Sequence, residues 1–283
     1  MNVSAGVIAH NDEKNIAELL LEISREKQVR EIIVVSSGST DKTNSIIERL
    51  NLSKVKLIKE SVRRGKAHAI NIFLKKSKED VLLLVSADVL PKRGSIRKII
   101  EPLKKPDIGI CASRPVPAHI EDSIIGHTIR LQWYLHHRIS LDNPKFGEMI
   151  AFKKVFTKIN KTSVDEEYIA AVIKNLGYKL KYCPDAIVIN RPPKTIQDLV
   201  KQRRRIYCGH LELRNTTGYK TPTLSNTRVL VYLLKEARLR HIKRLHLTLI
   251  SVVIETYSRF LGFFDFLTNK EKHYKWEIAK SAK

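Results

Sequence analysis

Acids, cations and small polar residues gather in this chain wherever an apolar run stops. "VVSSGSTDKT" (residues 34–43) ends two valines on hydroxyls, Gly38 and Asp41. "AHNDEKN" follows the first apolar run with His10 and Asn11, and "VSADVLP" follows a later one with Ala87 and Asp88. "RRGKAHAIN" supplies Arg64 and Lys66, with Arg63 beside them. Small residues and Gly38 let a ligand approach the backbone. Asp41 or Thr40 can cap the next helix, whose first N–H groups suit an anion. Lys66 and the arginines can meet phosphates. Asp88 stands where a divalent ion on a diphosphate takes an oxygen ligand. A nucleotide diphosphate site is the economical reading. Each residue also has a plainer role: Asp88 in a turn before Pro91, Asp41 as a cap, His10 at the surface. Ser163 to Glu166 matches the S-x-x-E capping box, so Glu166 can close a helix N-terminus.

The elements that must position these residues alternate. Apolar runs at 3–9, 31–35, 55–58, 81–85 and 108–112 predict strands. Helical spacing separates them at Ile16–Ile23, Lys42–Leu50 and Ala67–Phe73. Alternation of this kind predicts βαβ units and a mostly parallel sheet flanked by helices. Ligands then bind at the carboxyl ends of the strands, where the loops above lie. Further on, Ser123–Leu141 and Val164–Leu176 predict helices, the second stopped by Gly177. Met149–Phe152 predicts a strand, as do Lys179–Tyr182 and Ala186–Val188 on either side of Pro184, and 195–213 reads as a basic helix.

The formal net charge of +23 points to a polyanionic partner or to a lysine-rich solvated surface. The cations concentrate in "KQRRRI" (201–206) and "KEARLRHIKR" (235–244). Cys111, Cys183 and Cys208 form no CxxC pair, which fits a reducing compartment. Residues 2–9 read as a strand and lack the basic leader of a secretory signal, so a cytoplasmic protein is expected. The apolar stretch within 245–267 contains His246, Glu255, Arg259 and Asp265, which a membrane interior disfavours. An in-plane anchor on an anionic membrane face fits better, with a packed hairpin or homo-oligomer contact as the alternative.

The strings "HNDEKNI", "IIVVSSGSTDKT", "RRGKAHAIN", "VLLLVSADVLP", "DEEYIAAVIKNLGYKLKYCPDAIV" and "KQRRRI" come in an order that resembles family-2 glycosyltransferases, over about residues 2–210. The ending "HYKWEIAKSAK" resembles the tail of some archaeal members. The resemblance implies the GT-A fold, a nucleotide-sugar donor, Mg2+ or Mn2+, and inversion at the anomeric carbon. It implies that His10 packs against the donor base and that Ser37 stands at the base-reading position. Lys66 would line the donor. Asp88 would be the metal ligand that closes the DxD motif, with Ser86 in place of its first acid. Glu166, beside Asp165, would be the general base. Gln202 and Arg205 would match QxxRW, beside the diphosphate and the acceptor.

Three departures follow. Ser36-Ser37 replaces an acidic pair, so uracil is not implied. A glutamate at the base position leaves the choice between Asp165 and Glu166 open. Ile206 replaces the motif's tryptophan, so Tyr207 would have to supply any stacking surface. The expected organisation is a catalytic domain at 1–215, with a donor half to about 115 and an acceptor half from 116, and a helical region at 216–283. The expected activity is single-sugar transfer to a polyprenyl phosphate or lipid-linked glycan at the inner membrane face. Arg204 and its neighbours would then pair with a lipid phosphate. The alternatives are a sugar-phosphate nucleotidyltransferase, which would need a Gly-rich loop where Ala9–Glu13 stands, a nucleic-acid-binding protein, and an inactive lipid- or partner-binding descendant of the fold.

Overall fold

The computed structural model of the chain describes residues 1–118, 120–239 and 245–268. Parts of two basic or tail strings, residues 240–244 and 273–283, lie outside the described residues. The chain divides into two compact units. The first comprises residues 1–115 and 146–190, and the second comprises 116–145 and 191–268 of the described residues.

The first unit is built on an eight-stranded sheet of order β3-β2-β1-β4-β7-β6-β8-β5. Its strands are β1 (Val3–Ala9), β2 (Val29–Ser37), β3 (Val55–Glu60), β4 (Val81–Ser86), β5 (Val89–Pro91), β6 (Ile108–Pro117), β7 (Met149–Lys153) and β8 (Lys179–Asn190). β3, β2, β1 and β4 run parallel. β7 then pairs antiparallel with both β4 and β6, and β5 pairs antiparallel with β8. The sheet is therefore mixed, with its parallel half carrying the loops expected to take the donor. α1 (Ile16–Ser24), α2 (Thr43–Leu50), α3 (Lys66–Lys76), α4 (Ser95–Ile100) and α6 (Asp165–Asn175) complete the unit. β1 and β4 are buried along almost their whole length, so their sequence reads as a continuous apolar run. Side chains alternate between two cores. Val7 and Leu83 join Leu19 and Leu20 of α1 in one, while Ile33, Leu84 and Phe73 fill the other.

The two short strands expected around Pro184 are one strand of twelve residues, β8. Proline is accommodated where a strand's N–H group is not needed for pairing. The sequence pattern also missed β5 and α4, which are three and six residues long. Cys111 and Cys183, remote in sequence, are hydrogen-bonding partners on β6 and β8.

The second unit is helical. It contains α5 (Ile124–Asp142), α7 (Ile196–Thr217), α8 (Asn226–Leu239) and α9 (Leu245–Thr268). Ser123 and Thr195 cap α5 and α7 by accepting hydrogen bonds from the N–H groups of Gly126 and Asp198. α9 lies along α7, and Gly262 permits the approach: a Cβ there would sit 2.5 Å from the Arg204 carbonyl oxygen.

Candidate active site

The loops after β1 and β2 are laced together. Asn11, in left-handed backbone geometry (φ 57°), accepts through Oδ1 from the N–H of Thr40 at 2.8 Å. The Asp12 N–H donates to Thr43 Oγ1 at 2.8 Å, and the Glu13 N–H to Asp41 Oδ2 at 3.1 Å. Asp41 Oδ1 accepts from the Thr43 N–H at 3.0 Å, but the N-cap of α2 is Lys42, so Asp41 braces the entry to the helix without being its cap. His10 Nδ1–H donates to the Ser37 carbonyl at 2.7 Å. Gly38 (φ 65°) lets the 62–63 backbone come close, since a Cβ would lie 2.7 Å from the Arg63 nitrogen. His10, Asn11, Ser37, Gly38 and Asp41 thus share one surface at the strand ends. Ser37 is buried, and its hydroxyl has no hydrogen-bond partner among the described residues. Arg64 is exposed beside this surface, whereas Arg63 is partly buried and faces the Asp12 charge.

Lys66 opens α3, and its Nζ donates to Glu166 Oε1 at 2.5 Å and to Ser86 Oγ at 3.1 Å. Both members of the ion pair are mostly shielded, with 17% and 13% of their side-chain surface exposed. Burial pulls the Lys66 amine down, but Glu166, Asp165 and Asp88 outweigh it and hold the ammonium above its ordinary range. Ser86, at the place of the missing first acid, therefore serves the lysine. Ala87 is buried and Asp88 is exposed.

α6 begins at Asp165, with Val164 as its N-cap, one residue later than the capping box requires. Its three successive acids diverge. Asp165 is buried, Glu166 takes Lys66, and Glu167 Oε1 accepts from the Phe146 N–H at 3.0 Å. That last bond secures the segment leading into β7, which holds a residue the sequence did not reveal. Glu148 has φ 57°, unusual for a side chain of its size. Its carbonyl accepts from the Ser86 N–H at 2.9 Å. Burial, then the charges of Asp88 and Glu166, push its carboxyl up to about 8, against Lys66 and a hydrogen bond from Asn190. Asn190 is itself buried at the end of β8, and its Oδ1 has no partner among the described residues. No local motif marks either residue, because the sheet register brings them here.

The remaining expected site residues lie on α7 in the second unit. Arg204, expected to face a diphosphate or lipid phosphate, is instead held by Asp265 through two 2.5 Å hydrogen bonds. Arg203 is bound by Glu255 through two 2.8 Å bonds, and Arg259 holds the same carboxylate. The Tyr207 ring, expected as a stacking surface, has the Arg259 guanidinium 5.4 Å from its centre. Gln202 and Arg205 are half-buried on the same helix.

Ligands of open α/β sheets bind at the carboxyl ends of the parallel strands, and the loops there gather a lysine, carboxylates and hydroxyls. The chain belongs to glycosyl transferase family 2, whose model matches residues 4–168. The poly-beta-1,6-N-acetyl-D-glucosamine synthase of Staphylococcus epidermidis is 26% identical over 248 residues, 82% of this chain and 60% of that protein. The Staphylococcus aureus protein of the same name is 27% identical over 69% of this chain and 51% of its own length. The chain thus spans only about half to three-fifths of these relatives. Among solved structures, a mannosyltransferase from Pyrobaculum calidifontis in complex with GDP-Man and Mn2+ superposes with a TM-score of 0.69. It is 21% identical, and the match covers 95% of this chain and 88% of that one. A glucosyl-3-phosphoglycerate synthase from Mycobacterium tuberculosis, in complex with Mn2+, UDP and phosphoglyceric acid, gives 0.58 at 18% identity, covering 75% and 78%. The fold is GT-A, as the motif order implied.

Proposed function

We propose that the chain is an inverting glycosyltransferase that moves one sugar from a nucleotide-diphosphate donor to a hydroxyl of a lipid-linked glycan. The Lys66–Glu166 pair beside Asp88 carries this reading. The donor's base and ribose meet the surface of His10, Asn11, Ser37, Gly38 and Asp41, and its diphosphate meets Lys66 and Arg64. Glu166 takes the proton of the acceptor hydroxyl as that oxygen bonds to the anomeric carbon and the bond to the diphosphate breaks. Asp88 is an oxygen donor suited to Mg2+ or Mn2+, and the orphaned Oδ1 of buried Asn190 fits a hard cation nearby. Such an ion would counter the negative charge that grows on the departing diphosphate. A hydroxyl acceptor is favoured over a phosphate because Arg203 and Arg204 already carry carboxylate partners.

The second unit supports seating at a bilayer. α9 is long and apolar enough to cross a membrane by length and composition. Its charged residues Glu255, Arg259 and Asp265 face partners inside the unit. Its other face exposes Leu249, Val253, Tyr257, Phe260, Phe264 and Leu267 at helical spacing. Because α9 lies along polar α7, an orientation in the plane of a cytoplasmic, anionic membrane face suits it better than a span.

The first test of the donor reading is thermal stabilisation by UDP, GDP, ADP and CDP, with and without Mn2+. One nucleotide should raise the melting temperature in a metal-dependent way, and Asp88→Ala should abolish the effect. No stabilisation by any of the four would overturn the reading.

A further inference from the structure

We propose that Glu148 and Asn190 join Asp88 in an all-oxygen site for the divalent cation. This rests on the donor reading above and extends it to two residues on different strands of the sheet. Glu148 keeps a left-handed backbone at φ 57° that a glycine would adopt without cost. Strain of this kind is retained where the side chain is needed. Its carbonyl is bonded to the Ser86 N–H, and Glu167 secures the segment before it, so the chain is held from both sides. Asn190 pairs in the sheet with Val89, the residue directly after Asp88. It is 7% exposed, it hydrogen-bonds to Glu148, and its Oδ1 is unsatisfied among the described residues.

A buried amide that donates to one carboxylate and leaves its carbonyl oxygen unused is what a hard cation would complete. Lys66 does not serve this purpose, because its ammonium is bonded to Glu166 and Ser86. Among the described residues, no three His, Cys, Asp or Glu side chains converge into a ready cage. Two carboxylates and an amide carbonyl therefore form a partial set, which diphosphate oxygens and water would complete. Ions that keep some water and bind through one or two carboxylates plus phosphate use such sets.

The test is direct measurement of Mn2+ binding to the full chain by titration calorimetry and by the electron paramagnetic resonance of free Mn2+, with and without UDP or GDP. Glu148→Gln and Asn190→Leu should each weaken Mn2+ binding by about 10–100-fold, the scale seen when groups around a metal site are removed. Asn190→Asp, which keeps an oxygen donor, should bind like the wild type. Glu148→Gly should lose Mn2+ to the same extent while its metal-free melting temperature stays equal or rises. If Glu148→Gln and Asn190→Leu bind like the wild type while Asp88→Ala does not, the inference falls and the donor reading stands. Loss of metal-free stability in Glu148→Gly would also overturn it, because the carboxylate would then be structural. If the wild type binds no Mn2+ with either nucleotide, the donor reading itself fails.

Discussion

Replacing Glu166 with glutamine separates its two jobs in the proposed reaction. A base positioned on the acceptor hydroxyl contributes about 10²–10⁴ in rate, or roughly 3–5 kcal/mol of barrier. Glutamine keeps the shape and can still accept a hydrogen bond from Lys66, but it cannot take a proton. The same change releases Lys66 from a charged partner 2.5 Å away in a pair with only 17% and 13% exposure. A hydrogen bond to a charged group is worth roughly 1.5–3 kcal/mol, and an incoming diphosphate must compete for it. Glu166→Gln should therefore transfer sugar at least about a hundredfold more slowly. It should bind the nucleotide as well as the wild type, or up to about tenfold more tightly. Product formation by mass spectrometry and nucleotide affinity by calorimetry check the two halves, with circular dichroism to confirm folding. Activity within tenfold of the wild type would refute the base assignment and point to an acceptor that is already anionic, such as a phosphate. A parallel loss of nucleotide affinity would refute the competition for Lys66.

Glu255 makes a pH prediction. Burial alone would raise its carboxyl, but Arg203 and Arg259 outweigh that and bring it down from 4.5 to about 2. A carboxylate depressed on folding stabilises the protein above its unfolded pKa, and this stability is lost as pH falls through the folded value. Glu255→Gln should cost about 3 kcal/mol at neutral pH and flatten the stability profile between pH 4.5 and 2, measured by urea unfolding. Gly262→Ala should destabilise the helical unit by about 1–3 kcal/mol, because the added methyl meets the Arg204 carbonyl at 2.5 Å; differential scanning calorimetry would read it. The double change Phe260→Glu and Phe264→Glu should abolish co-sedimentation with anionic vesicles, since each ring offers about 1.5–3 kcal/mol on burial. Unchanged sedimentation would leave the exposed stripe for a second copy of the chain to cover.

The parallel half of the sheet was legible because local pattern and burial coincide there. Val3–Ala9 is buried on both faces, so its strand appears as an unbroken apolar run, and the loop that follows it must carry polar groups. The strand before "SGSTDKT" was legible for the same reason, although it extends further than its apolar core, through Ser36 and Ser37. β8 was split in two because Pro184 and Asp185 interrupt its pattern, while pairing with distant strands keeps it whole. Glu148 and Asn190 could not be found locally. One is an ordinary glutamate whose φ no motif signals, and the other matters only because β5 lies beside β8. The arginine run misled in the opposite direction. Its charge was plain, but Glu255 and Asp265, which take up Arg203 and Arg204, lie on another helix more than fifty residues away.

In a chain of net charge +23, the proposed donor site is a local reversal of sign. Asp88, Glu148, Asp165 and Glu166 act on one another or on Lys66 there, and Lys66 is bonded to Glu166. A diphosphate is itself an anion, so Asp88, Asp165 and Glu166 repel it in the absence of further positive charge. Arg64 offers some of that charge from an exposed position, where solvent screens it. A divalent ion among the carboxylates removes the repulsion and supplies attraction in one step. Donor and metal should therefore bind with strong mutual cooperativity, each raising the affinity of the other by the same factor. The acids that make the metal-free site inhospitable to phosphate are also the groups that favour the ion. A basic surface elsewhere would raise the local concentration of anionic ligands without having to discriminate among them.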